Sequence, residues 1–243
     1  MKELFKKIIS FDSIDSTNVY GLENIEELEH KTIIITNTQT QGKGRFDRKW
    51  QSSNPDNLYF SIILKPNNKE HIANFTQYMS FCIAKTISKY GIIPNIKWPN
   101  DVRIKDRKIA GILAKSAFKK GKMAGIVLGV GINLNSSQVE IAKIDQLATS
   151  LNLELGEDIN KEDFLLKLSQ EFFQGYDEFV EKGFVSIKKE YEAYFELMNK
   201  EIIVKNWNDT KKGIVMKIND DGTLFLLDNS QNIIKITIGD ILC

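Results

Sequence analysis

At 243 residues and 27.8 kDa, with 42% hydrophobic and 27% charged residues, the chain has room for one large folded unit and a small one. A formal net charge of +1 gives no overall attraction to nucleic acid or anionic membranes, so any basic function must be local. No apolar run can cross a bilayer, the first ten residues lack a signal-peptide core, and Cys82 and Cys243, the only cysteines, fit neither a disulfide framework nor a zinc site. A cytoplasmic protein is expected.

In chain order, Asp15 or Ser16 can cap a helix running to Leu28, with Val19, Leu22, Ile25 and Leu28 at helical spacing. Thr32–Asn37 reads as a buried β-branched strand and Leu58–Lys65 as its partner. Ile72–Tyr90 carries Phe75, Met79, Ile83 and Ile87 on one helical face. Ile96–Trp98 and Val102–Ile104 read as short strands around Pro99-Asn100-Asp101. A longer strand, Lys108–Phe118, then turns at Lys119–Lys122 into Met123–Asn133. Residues 146–158 carry no clear pattern. Asn160 caps a helix with Phe164, Leu168, Phe172, Tyr176 and Phe179 in register, and a second helix covers Phe184–Leu197. From about Lys200 the chain turns to short β runs at 202–205, 213–218, 224–227 and 233–238, separated by Asn/Asp/Gly turns. The expected fold is α+β: a mixed, largely antiparallel sheet with helices on one side, residues 1–198, followed by a small β-rich unit, residues 199–243.

Two segments concentrate charge. Residues 43–49 hold four cations and one anion, and 97–108 hold five cations and two anions. In Gln41-Gly42-Lys43-Gly44-Arg45, glycines that let backbone approach a ligand alternate with cations, which suits a flap closing over an anion and equally suits a solvated loop. Ser16, Thr17 and Asn18 offer short donors and acceptors at a helix start, for capping or for a neutral polar ligand. Lys108 enters an apolar strand, so it sits at a rim or binds something buried. Trp50 is either a cover for a ligand or a plug anchoring the loop. His30 and His71 lie outside every motif and read as surface residues.

Asp15-Ser16-Thr17-Asn18, Gly42-Lys43-Gly44-Arg45, Lys97-Trp98-Pro99-Asn100-Asp101, Arg107-Lys108-Ile109-Ala110-Gly111-Ile112-Leu113 and Gly129-Val130-Gly131-Ile132-Asn133 resemble, in this order, the motifs of the biotin protein ligases. The resemblance implies a ligase that joins biotin to ATP as biotinyl-5′-AMP with release of pyrophosphate. The biotin then passes to a lysine of a biotin carboxyl carrier protein, such as an acetyl-CoA carboxylase subunit. It also implies that the C-terminal strands form an SH3-like β-barrel, that Mg²⁺ accompanies ATP near Asn100 without a protein cage, and that a homodimer forms through sheet edges. By resemblance Ser16, Thr17, Asn18, Gln39, Lys43, Gly44, Arg45, Lys108 and Gly111 face biotin. Lys43, Arg45, Trp50, Lys97, Asn100 and Asn133, with Gly131, face ATP or the adenylate. Arg45, Lys97, Asp101 and Lys108 are the expected catalytic residues, Asp101 as acceptor of the proton from the incoming lysine. The family's flap is usually Gly-Arg-Gly-Arg, any residue, then Gly. Lys43 and Asp47 depart from it, so a looser closure is expected. Because the first motif begins at Asp15, no preceding DNA-binding domain, operator binding or repressor activity is expected. The alternatives are a lipoate ligase or octanoyltransferase on the same fold, and a non-catalytic biotin-binding module.

Overall fold

The structure, a computed structural model, describes residues 4–46, 48–206 and 209–242. It starts with β1 (Lys7–Ile14), α1 (Thr17–Glu23), β2 (Thr32–Gln39) and β3 (Leu58–Leu64). A single 3-10 turn at Ile72–Asn74 leads into α2 (Phe75–Ser88), followed by β4 (Asn95–Lys97), β5 (Asp101–Ile104), β6 (Arg107–Lys119) and β7 (Lys122–Ile132). These strands form one seven-stranded sheet in the order β1-β2-β3-β7-β6-β5-β4. Only the β1–β2 pair is parallel.

Strand alternation sends Ile33, Ile62, Leu128 and Val130 into a large core with α2, while Ile34, Ile63 and Val127 face the other way, against Ile25 and Leu28 just after α1. Helices therefore lie on both faces, not one. The separate α1 face matters, because α1 begins with the residues expected to bind ligand. That helix is also shorter than its apolar spacing suggests: the Asn24 side chain donates to the Tyr20 carbonyl at 2.8 Å and closes the helix there.

After β7 come two short helices that the sequence did not mark, α3 (Gln138–Ile141) and α4 (Leu151–Leu155), then α5 (Lys161–Gln174), α6 (Tyr176–Lys182) and α7 (Lys188–Tyr194). The single helix expected from Lys161 to Phe179 breaks at Gly175. There the Tyr78 hydroxyl donates to the Phe172 carbonyl at 2.6 Å, satisfying a helix-end acceptor from the neighbouring helix. The helix expected over 184–197 is a 3-10 turn, Gly183–Ser186, followed by α7.

β8 (Glu201–Lys205), β9 (Thr210–Ile218), β10 (Leu224–Leu227), β11 (Ile233–Ile236) and β12 (Asp240–Leu242) form a five-stranded antiparallel sheet in the order β11-β10-β9-β8-β12. Among the described residues no ladder joins β11 to β12, so what the strand pairing shows is an antiparallel sheet. The run expected as one strand over 233–238 ends at Ile236, and Gly239, at φ 158, separates it from β12. The β9–β10 turn is docked on the first unit: Trp98 Nε1 and Gln77 Nε2 both donate to the Gly222 carbonyl, at 2.9 and 2.8 Å. Ile202, Val204, Val215 and Leu226 share one continuous apolar core with α2. Among the described residues no helix is long and apolar enough to cross a membrane.

His30 is half-buried, not a plain surface residue. Its Nδ1 accepts the Lys65 N–H at 3.0 Å, which requires the unprotonated nitrogen. Burial, helped by Lys31 and Lys65 and opposed by Asp177, holds its pKa below the usual 6.5. Because the unfolded chain binds this proton more readily, the contribution is complete above pH 6.5 and lost as pH falls below it. The Tm of the parent should therefore drop more between pH 7.5 and pH 5.5 than that of His30→Asn, measured by thermal melts in matched buffers (roughly one pH unit either side of an ordinary imidazole).

Candidate active site

Three glycines make the floor. Gly111, Gly129 and Gly131 are on the α1 face of β6 and β7, and the register sets Gly111 directly beside Gly131. The Trp50 indole lies on two of them: a Cβ at Gly131 would stand 2.3 Å from its Cε2 and Nε1, and one at Gly111 would stand 2.8 Å from Cζ3. A Cβ at Gly129 would stand 1.8 Å from Asn18 Nδ2. The strands are bare here so that side chains from elsewhere can lie flat on the backbone.

Above this floor stands the start of α1. Ser16 is its N-cap residue but makes no side-chain capping bond. Ser16 is 1% and Asn18 5% exposed, and neither Ser16 Oγ nor Asn18 Oδ1 has a hydrogen-bond partner among the described residues. Asn18 Nδ2 is oriented by the Leu113 carbonyl at 3.3 Å. Thr17 is held differently: its N–H donates to Gln39 Oε1 at 3.0 Å and its hydroxyl receives Ser61 Oγ–H at 2.8 Å. Gln39 Nε2 in turn donates to Ser52 Oγ at 2.9 Å. Ser61 and Ser52 fix the site and had no signal in the sequence beyond lying in or near strands.

The flap is a narrow hairpin. Lys43 and Lys49 pair across it, Gly44 N–H donates to the Arg48 carbonyl at 2.7 Å, and Trp50 N–H to the Gly42 carbonyl at 3.0 Å. Asp47 lies outside the described residues. The Arg45 guanidinium reaches inward, donating to Asn100 Oδ1 at 2.7 Å and to the Gly239 carbonyl at 3.0 Å. Arg48 forms an ion pair with Asp240. Burial pulls the Arg45 pKa down, and Asp240 and Asp101 act against that pull. The C-terminal sheet thus touches the flap at two points that no local motif announced.

Lys108 faces the site because β6 is irregular. Gly111 pairs with Asp101 and Ala110 with Val102, but Arg103 pairs with Lys108, so Ile109 is an extra residue. Strict alternation from Gly111 would turn Lys108 toward the large core; the bulge turns it back to the Asp101 face. There its ammonium meets Asp101 Oδ1 at 2.8 Å, with both side chains mostly buried, and stands 5.4 Å from the Trp50 ring centroid. Asn100 completes the corner, donating to Asp101 Oδ1 at 3.2 Å and to the Ile112 carbonyl at 3.1 Å.

Ser16, Thr17, Asn18, Gln39, Lys43, Gly44, Arg45, Trp50, Asn100, Lys108 and Gly111 thus line one cavity of about 50 Å³. Asp101 reaches that cavity through Lys108. Lys97 is outside its wall, one strand further out on the Asp101 face. Asn133, expected at adenine or ribose, is 4% exposed and donates to the Thr149 carbonyl at 3.0 Å. Arg45, Asn100 and Leu113 also line a second, larger groove of about 940 Å³ that runs between β6, the start of α2 and the β9–β10 turn.

Residues 10–133 match the biotin/lipoate A/B protein ligase family. The chain is 29% identical over 213 residues to the bifunctional ligase/repressor BirA of Bacillus subtilis, covering 86% of this chain and 65% of that protein. It is 31% identical over 228 residues to BirA of Escherichia coli, covering 93% of this chain and 70% of that protein. The chain thus spans just under two thirds of the length of the Bacillus relative. Among solved structures, the biotin protein ligase of Aquifex aeolicus in complex with biotin and ATP superposes with a TM-score of 0.85 at 26% identity, over 98% of both chains. With the sheet order, the glycine floor and the basic flap already in place, the chain belongs to the biotin/lipoate A/B protein ligase family.

Proposed function

We propose that the protein is an ATP-dependent biotin protein ligase, which forms biotinyl-5′-AMP and then biotinylates one lysine of a biotin carboxyl carrier protein. The observation that carries the choice of biotin over lipoate is the pair of buried oxygens, Ser16 Oγ and Asn18 Oδ1, that have no partner among the described residues. Leaving such groups unpaired costs about 1–3 kcal/mol each. A ureido ring has two N–H donors and a carbonyl to satisfy them, whereas a dithiolane ring has none. The relatives named as ligases and the Aquifex complex with biotin and ATP support the same reading.

In this reading Lys108 and Arg45 neutralise the biotin carboxylate and then the acyl phosphate, Lys43 and Gly44 close over it, and Trp50 covers the adenylate. Lys97 and Asn100 serve the phosphates. Mg²⁺ comes with the triphosphate, near Asn100. The larger groove is the side from which the carrier lysine reaches the anhydride. Residues 1–198 form the catalytic unit and 199–243 a small SH3-like one, and the open sheet edges suit a homodimer. We place the protein in the cytoplasm.

The decisive experiment is pyrophosphate release from MgATP with biotin or lipoate, with and without a carboxyl carrier domain. Biotin-dependent release followed by mass addition to the carrier lysine is the expected result. Turnover with lipoate alone would reassign the pocket. Asp101→Asn tests the proton acceptor: transfer should fall by about 10²-fold, more steeply than adenylate formation. Equal loss of both steps would leave Asp101 only the holding of Lys108.

A further inference from the structure

Lys108 sits at a bulge, where the β5 ladder is irregular, and the β7 side ends one residue short of it, with Ala110 beside Ile132 and the Asn133 N–H on the Ile109 carbonyl. A short segment, 147–149, takes the place of β7. Lys108 N–H donates to the Leu147 carbonyl and Thr149 N–H to the Lys108 carbonyl, both at 2.9 Å, with Ala148 bridged to Lys108 in parallel register. That segment is itself held by side chains. Asn133 Nδ2 donates to the Thr149 carbonyl, and Thr149 Oγ1 donates to Glu154 Oε1. The same Glu154 oxygen meets Arg107 Nη2 at 2.7 Å. Because Arg107 is bonded to Lys108, the contacts close a ring: Lys108 backbone, Thr149, Glu154, Arg107 and back. Thr149 is 1% exposed and the Glu154 side chain 11%.

We propose that Glu154 is a positioning residue, acting through Thr149 and Arg107 to hold the Lys108 backbone at the bulge and so to set where the Lys108 ammonium stands against Asp101 and the cavity. A bulge gives up ladder bonds at the residue whose direction it controls, so some other contact must keep that residue from slipping to the regular register. Here slipping would turn an ammonium toward the apolar core. In this reading Asn133 supports Lys108 from behind, through the Thr149 carbonyl. The kinetic part of this inference rests on the ligase reading above; the geometric part does not.

Glu154→Ala and Thr149→Val should each raise KM for biotin and lower kcat for pyrophosphate release by about tenfold, since small displacements of a reacting group are costly. The double variant should be little worse than either single one, because both break the same ring. Thr149→Ser, which keeps the hydroxyl, should recover most of the loss seen with Thr149→Val. A second readout needs no ligase activity: acetylation of substrate-free protein by a succinimidyl ester, followed by peptide mass spectrometry. Lys108 should react several-fold faster in both variants, with exposed Lys115 as internal reference. If the variants lower Tm but leave Lys108 labelling and KM for biotin unchanged, Glu154 only stabilises α4 and the proposal is overturned. If the parent releases no pyrophosphate with biotin, the ligase reading fails, while the labelling comparison still decides the positioning role.

Discussion

Arg45→Gln should lower biotin-dependent pyrophosphate release by about 10²–10³-fold, the usual loss when a preorganised donor to a developing charge is removed. The guanidinium is aimed by Asn100 on one side and by the Gly239 carbonyl on the other. It therefore needs little reorganisation when the phosphate charge arrives. Both of its present partners are neutral oxygens, which an anionic ligand oxygen can replace with a stronger, charge-assisted bond. Arg45→Lys should recover only part of the rate, because an ammonium keeps the charge but not the planar fork. Steady-state kinetics with ATP and biotin varied separately would check this. A Gln variant as fast as the parent would remove Arg45 from the chemistry and return the flap to a surface loop.

Gly129→Ala should raise KM for biotin by about 10²-fold with only a small loss of stability. The added methyl group would stand 1.8 Å from Asn18 Nδ2 and 3.0 Å from Asn18 Cγ. The end of an asparagine side chain can swing aside, at the expense of its bond to the Leu113 carbonyl, a net loss of about 1 kcal/mol. It cannot swing aside and still present Oδ1 to a ureido ring. The methyl group also enters a cavity with about 50 Å³ of room. Gly125→Ala on the same strand is the contrast. Its methyl group would meet the Leu64 backbone carbonyl at 2.8 Å, which has no rotamer to escape into. That variant should lose about 1–3 kcal/mol of stability, the usual penalty of overpacking, and keep its KM for biotin. Thermal melts beside biotin titrations would separate the two, and matching losses in both variants would refute the distinction.

Much of this was legible in the sequence where the signal is local. The β6–β7 hairpin and the corner around Asn100 lie close to where turn residues put them, because turn chemistry acts over a few residues. β1 escaped notice since an edge strand with most residues exposed needs no clean alternation. The site was legible to a similar depth. Motif order gathered Ser16, Asn18, Gln39, Arg45, Asn100 and Lys108, and the fold lines one cavity with them. Two features were beyond reach. Nothing in Arg107-Lys108-Ile109-Ala110 announces a bulge, although the bulge decides which way the lysine points. Nor can a local pattern show that Arg45 meets the carbonyl of a glycine 194 residues away.

That last contact ties chemistry to the completeness of folding. The flap is held by the Gly239 carbonyl and by Asp240 at the start of β12, which among the described residues pairs only with β8 in the small sheet. A molecule whose large sheet has formed but whose small sheet has come apart would keep its glycine floor and lose the anchor of its flap. Such partial opening is a normal excursion of native proteins and needs less free energy than global unfolding. On the ligase reading proposed above, a half-open molecule would stand idle and would not release its hydrolysable anhydride onto whatever amine is near.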